Sequence, residues 1–236
     1  MWAAIPFLIL IFSGPIKCED LCDTANCDCV QDGEILNVIC DGDKSEDLEL
    51  LSSSIPATTS SLNVSNFANV VVQTNAFFGG ISLYSINIQQ VQRLNFKDYV
   101  FSEEEEAAYL DKFSIENVGQ MMLTGATFDN APQMNVVTIK NVTIKIVPSG
   151  GIKLHADTMT VQDCQIGELN REGIYSDSMN FIFIGNTVGV VRTHGFSGSN
   201  NVFNFSFNFV DSMESNAMSV AFLNGDFTRC KIKIQQ

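Results

Sequence analysis

Histidine is almost absent from this chain of 236 residues, which has His155 and His194 and nothing more; tryptophan occurs once. Zinc sites built from mixed cysteine and histidine ligands therefore have no imidazole near the N-terminal cysteines. Basic residues are scarce too. Thirteen Lys and Arg face 27 Asp and Glu, for a formal charge of −14. A field of that sign repels phosphate backbones and anionic lipid, so no nucleic-acid partner is expected. No C-x-x-C redox pair occurs. Beyond the first residues no apolar run approaches the roughly 20 residues needed to cross a bilayer, so no membrane span is expected. Leucine is sparse in the body of the chain, and no strong helical period runs through it. Val, Ile, Phe, Asn, Ser, Thr and Gly fill the space instead, a mixture that favours many short strands.

The start, "MWAAIPFLILIFSGPIKCED", sets an apolar stretch before Ser13, Gly14 and Pro15. It has the layout of a secretory signal peptide, expected to span residues 1–18, which makes the protein secreted and extracellular. Removing Cys18 with the leader leaves six cysteines, at 22, 27, 29, 40, 164 and 230.

Behind the leader the chain repeats. "VTIKNVTIKIVPSGGIKL" from Val137, "MTVQDCQIGELNREGIYS" from Met159 and "FIFIGNTVGVVRTHGFSG" from Phe181 share one mask. Apolar or small residues stand at positions 1, 3, 6, 8, 11 and 16, with Gly at 15, and Phe203 starts a further unit at the same spacing of 22. Starts at Leu62, Ile81 and Phe113 extend the series toward the N-terminus, placing Val64, Leu83 and Ile115 in the position-3 column. One such unit cannot bury its own apolar face, so the units are expected to stack into a solenoid with a shared core. The spacing is similar to two families: the right-handed parallel β-helix and the leucine-rich repeat. Apolar residues spread around the whole coil favour the β-helix, with the leucine-rich-repeat horseshoe as the alternative. The expected organisation is a cysteine-rich cap over 19–60 and solenoid coils over 61–236. An acidic excursion, "KDYVFSEEEEAAYLDK", bulges from one coil at 97–112.

The cluster "CDTANCDCVQDGEILNVIC" reads Cys22-x4-Cys27-x-Cys29-x10-Cys40. In an oxidising compartment an even set at one end of a fold is a disulfide framework, and no metal is expected there. "LSSSIPATTSSLNVSN" and "NAFFGG" follow. Together with C-x-C, the single later cysteine, Ile-Pro and Leu-x-Val, they resemble the cysteine-rich N-terminal cap of extracellular leucine-rich-repeat proteins. The resemblance covers roughly residues 22–80. It departs from the family at Asp23, where a proline is usual. It implies pairing of Cys22 with Cys29 and of Cys27 with Cys40. Cys164 and Cys230 both occupy position 6, three coils and about 14 Å apart, too far to bridge. Both are expected to be free, buried thiols acting as small hydrophobes.

Parallel β-helices include polysaccharide lyases and hydrolases, whose sites need carboxylates converging across neighbouring coils. No column stacks two acids in consecutive coils. The best catalytic candidates are His194 and Glu172, which share position 14 one coil apart, near Arg171 and Arg192. Three sequons, at Asn63, Asn141 and Asn204, are expected glycosylation sites at outward or corner positions. These features point to a secreted, non-catalytic binding or structural protein that needs no cofactor and recognises an extracellular protein or glycan. The alternative is a carbohydrate-active β-helix enzyme.

Overall fold

A computed structural model describes residues 20–52, 54–77, 83–101 and 110–234. The expected leader and half of the acidic excursion (102–109) lie outside the described residues.

A 3-10 turn, Leu21–Asp23, leads into β1 (Cys27–Asp32), which runs antiparallel to β2 (Ile35–Asp41). Every later pairing is parallel. The N-terminal coils hold two strands each: β2 with β3 (Asp47–Leu50), β4 (Thr59–Ser65) with β5 (Asn69–Val72), and β6 (Ser85–Gln89) with β7 (Arg93–Phe96). Next come two long strands, β8 (Leu110–Met122) and β9 (Met134–Val147), which bend around a corner and serve two sheets each. The later strands are β10 (Ile152–Gln162), β11 (Gln165–Leu169), β12 (Ile174–Ile184) and β13 (Thr187–Val191). They are followed by β14 (Phe196–Ser206), β15 (Phe209–Met213), β16 (Met218–Asp226) and β17 (Lys231–Ile234).

The result is a β-solenoid. A first sheet ascends from β2 through β4, β6, β8 and β9 to the second halves of β10, β12, β14 and β16. A second sheet climbs from β3 through β5 and β7, the ends of β8 and β9, then β11, β13, β15 and β17. The first halves of β10, β12, β14 and β16 add a third sheet in the C-terminal half. Strands on several sides of the coil fit the β-helix expectation rather than a horseshoe.

Coil lengths correct the N-terminal register. Leu62 pairs with Ile86, and Ile86 with Phe113, so the second start is Ile86, not Ile81, and Ile88 takes the place given to Leu83. Ile81 itself lies outside the described residues. The ladder also begins earlier than expected, because β2 and β3, inside the 19–60 segment, already pair in parallel with β4 and β5. β1 covers the exposed edge of β2 as a lid, and Leu21 of the turn before it is buried at the end of the core. Disulfides join Cys22 to Cys29 and Cys27 to Cys40, and the second links directly paired residues of β1 and β2. Replacing Cys27 and Cys40 together by alanine is expected to destabilise the lid by about 2–3 kcal/mol through the loop it frees. A thermal melt that reductant leaves unchanged would contradict this.

Two corners recur in the left-handed region. At position 5, Asn66, Gln90, Asn117, Asn141, Asp163, Gly185, Phe207 and Arg229 all have φ between 52° and 70°. Asn, Asp and Gly tolerate that conformation best, which explains most of the column. At position 14 stand Asn75, Tyr99, Gly150, Glu172, His194 and Asn216.

Position 6 points inward, and its chemistry changes along the solenoid. Phe67, Val91, Val118 and Val142 are apolar; Cys164, Asn186, Asn208 and Cys230 follow. Asn186 Oδ1 accepts from the Cys164 N–H at 2.8 Å, and its Nδ2 donates to the Val161 carbonyl at 2.9 Å. Asn208 repeats both bonds one coil on, to the Asn186 N–H and the Phe183 carbonyl. The thiols take the donor half of the same role, Cys164 toward Ile139 O and Cys230 toward Phe205 O. These cysteines are free, but they are hydrogen-bond donors rather than mere hydrophobes, and Cys230 is only partly buried. Burial pushes the Cys164 thiol up to about 11, which keeps it protonated and able to donate at neutral pH.

The core is apolar and increasingly aromatic. The position-3 column passes from Ile139 and Val161 to Phe183 and Phe205, whose rings stack at 5.2 Å. Phe196 meets Phe183 edge-on at 5.0 Å. In the same coils position 18 shrinks from Leu154 to Ser176 and Gly198, so the added ring volume is offset.

Candidate functional site

The expected pair, His194 and Glu172, sits at a left-handed corner. Backbone bonds stack that corner, Glu172 N–H to His194 O at 2.7 Å and His194 N–H to Asn216 O at 2.8 Å. No hydrogen bond or ion pair joins the two side chains among the described residues. Glu172 instead lies 3.6 Å from its neighbour Arg171, both largely in solvent. The shared column is therefore a turn requirement, and the geometry does not gather these groups around a substrate.

A different cluster forms on the outer face of the third sheet. In a strand, residues two apart share a face, and parallel in-register coils repeat that face about every 4.8 Å. Position 19 accordingly stacks His155, Asp177 and Ser199 in three consecutive coils. Asp177 is the hub. Its Oδ2 accepts from the Tyr175 hydroxyl at 2.6 Å and lies 4.0 Å from His155 Nδ1, while its Oδ1 accepts from the Ser199 N–H at 2.9 Å. The Tyr175 ring meets His155 edge-on at 6.1 Å. Hydrogen bonding to Asp177 holds the Tyr175 phenol above its ordinary value, with burial second. Both carboxylate oxygens are thus occupied, which fixes the orientation of the phenol.

The set contains serine, histidine and aspartate, but in the wrong order for a nucleophilic relay. A triad needs the imidazole between hydroxyl and carboxylate. Here the carboxylate is in the middle, and Ser199 meets it through the backbone N–H.

Beside the cluster an open groove of about 440 Å³ runs across the corner where the third sheet turns into the first. Gln133, Asp157, Asp177, Ser178, Ser199 and Asn201 supply its polar lining, with Ala156 and Met179 as its apolar patches. Behind it lies a buried polar knot in which Ser176 and Ser178 share a hydrogen bond and Asn200 Oδ1 accepts from the Ser178 N–H. Among the described residues no three His, Cys, Asp or Glu side chains gather as a metal-binding group.

The sequons lie elsewhere. Asn63 and Asn204 are half-exposed on the first sheet, and Asn141 is exposed at the position-5 corner, where its Nδ2 donates to Asn117 Oδ1. Ser206 of the third sequon donates to Asn204 Oδ1 at 2.7 Å.

Another surface array is structural. Arg192 bridges Glu168 at 2.7 Å and Glu214 at 2.9 Å, tying three coils together. The hydrogen bond from Arg192, then that from the Thr193 backbone, holds the Glu214 carboxyl below its ordinary value. A depressed carboxyl stabilises the fold above its unfolded-state value and loses that contribution as pH falls through the lower folded one. Glu214→Gln should therefore show a smaller drop in melting temperature between about pH 6 and pH 3 than the parent, and high salt should shrink the difference. Equal acid sensitivity in the two proteins would contradict this.

No family model matches the chain, and no curated protein or solved structure matches it either.

The position-19 cluster was missed because the repeat mask stopped at position 16. Carrying it three residues further would have aligned His155, Asp177 and Ser199, with Tyr175 two residues before the aspartate.

Proposed function

We propose that this protein is a secreted, glycosylated, non-catalytic recognition module that presents the outer face of its third sheet to an extracellular protein or glycan. The observation that carries this reading is Asp177, which holds the Tyr175 hydroxyl and the Ser199 N–H at once. A half-buried phenol fixed by a carboxylate is a preorganised contact: it meets a partner with little loss of side-chain entropy. Two further features support the reading. The disulfides fit an oxidising compartment. Glycans at Asn63, Asn141 and Asn204 would occupy the first sheet and one corner and leave the third sheet clear. The lid formed by β1 and its disulfides is, in the same reading, a cap of the leucine-rich-repeat type.

The test is capture from extracellular fluid by the parent and by Tyr175→Ala and Asp177→Ala variants of unchanged melting temperature. A partner held by the parent and lost from both variants supports the reading; one held equally by all three contradicts it.

A carbohydrate-active enzyme is the second reading, favoured by the imidazole and phenol that meet at Asp177, whose carboxylate lines an open groove. It requires that the parent cleave a polysaccharide and that His155→Ala abolish the cleavage.

A further inference from the structure

We propose that the groove between Asp157 and Asn201 binds an uncharged, polyhydroxylated ligand, a glycan chain. This rests on the recognition reading above and names the ligand class for that face.

Polar side chains on the surface of this solenoid are of two kinds, paired and free. At several places they pair from coil to coil: Asn69 with Asp47, Gln73 with Glu49, Asn135 with Asp111, Lys153 with Asp129, and Arg192 with Glu168 and Glu214. The groove gathers several polar side chains that do not pair. Among the described residues, the side chains of Gln133, Asp157, Ser199 and Asn201 have no hydrogen-bond or ion-pair partner, although one rung separates them from columns that do pair. Directly behind the lining, Asn200 is 4% exposed and its Nδ2 is also without a partner. The unpaired groups of the wall are open to a ligand, whereas the Asn200 Nδ2 is enclosed behind them and costs the fold about 1–3 kcal/mol.

The chemistry of the wall selects the ligand. Asn201 and Gln133 each offer donor and acceptor, Ser199 offers both in one atom, and Asp157 only accepts. That set complements hydroxyl groups, which donate and accept in turn. Among the described residues no Lys or Arg lines the groove, so an anionic sugar would meet Asp157 and Asp177 unopposed. A cationic peptide is less well served, because Asp177 already spends both oxygens on Tyr175 and Ser199. Met179, 55% exposed, provides a soft apolar surface for the C–H face of a sugar ring. The groove is open at the surface, as a chain that passes through it requires.

The experiment is calorimetric titration of the intact protein with free hexasaccharides of β-1,4-linked glucose, mannose, xylose and N-acetylglucosamine. A galacturonate hexamer and hexalysine serve as the anionic and cationic arms, and a high-mannose glycoprotein before and after deglycosylation tests sugar carried on protein. The expected result is binding of at least one neutral sugar, free or protein-borne. Its affinity should fall about tenfold or more in Asp157→Ala and in Asn201→Ala and hold within about twofold in Thr160→Ala on the first sheet. Thermal melts of all variants separate loss of binding from loss of fold. No binding by any neutral sugar, preference for hexalysine or galacturonate, or sugar binding that survives both groove variants overturns the proposal. Protein capture that depends on Tyr175 without any sugar binding would refute the ligand class and leave the recognition reading standing. Sugar binding in the groove with capture indifferent to Tyr175 and Asp177 would do the reverse.

Discussion

Asn186→Leu is expected to lower the unfolding free energy by about 2–5 kcal/mol. Asn186 is 1% exposed, and its side chain satisfies two backbone groups of the preceding coil, the Cys164 N–H and the Val161 carbonyl. Leucine is close to asparagine in size but bonds to neither, and each buried group left unpaired costs about 1–3 kcal/mol. Asn186→Cys should cost less, since Cys164 and Cys230 show that a thiol in this column still reaches the carbonyl. The ranking parent, cysteine, leucine in urea midpoint, with unchanged denaturant slope, is the expected outcome. Equal midpoints for the leucine variant and the parent would remove the position-6 ladder from the account.

The second large effect is at Gly198. Its φ is 125°, a region closed to residues with a side chain, and an added Cβ would lie 2.0 Å from the Ser176 carbonyl oxygen and 2.8 Å from its carbon. No rotamer relieves such a clash, because the obstacle is backbone of the coil below. Gly198→Ala must separate β12 from β14 locally, and a loss of about 3 kcal/mol or more is expected, strain and broken ladder bonds together. Gly33→Ala is the control: its φ is 63°, but nothing stands within 4 Å, so only the conformational cost of about 1 kcal/mol applies. If the two substitutions cost the same, the close approach of these coils is wrong. Gly198 also stands between Ser197 and Ser199, so its replacement should weaken whatever the third sheet binds.

The C-terminal coils were legible because four signals coincide every 22 residues: two apolar alternations, an inward position 6 and a glycine at 15. The N-terminal coils were not, for a physical reason. Positions 1 and 3 ask only for apolar residues two apart, and "ISLYSINI" offers that at Ile81 and again at Ile86. What distinguishes the two is the left-handed corner that follows. Gln90 fills that corner, and glutamine does not announce such a conformation as Asn66, Asn117 or Gly185 do. The 24-residue steps there also hide in a register shift between Val118 and Met121, where β8 and β9 round the corner.

The position-6 ladder stayed hidden because the column opens with apolar residues, Phe67, Val118 and Val142 among them, which make it read as plain core. Only the paired carbonyls reveal that Asn and Cys are equivalent there. His194 and Glu172 were selected for chemistry and adjacency, yet a corner column is chosen for backbone conformation and turns its side chains to water. The outer face of the third sheet lacked a sequence signal for the opposite reason. Its residues differ in type from coil to coil, so their shared position 19, and no recurring residue type, is what relates them.

Hydrogen exchange of the free protein against the same protein saturated with its captured partner or with the best-binding oligosaccharide tests the assignment of the recognition face most directly. The account predicts added protection in 152–157, 174–179 and 196–201, the three stacked segments that carry His155, Tyr175, Asp177 and the groove. Protection confined to the first sheet at 61–65 and 85–89, or to the corners at 170–173 and 192–195, would contradict it.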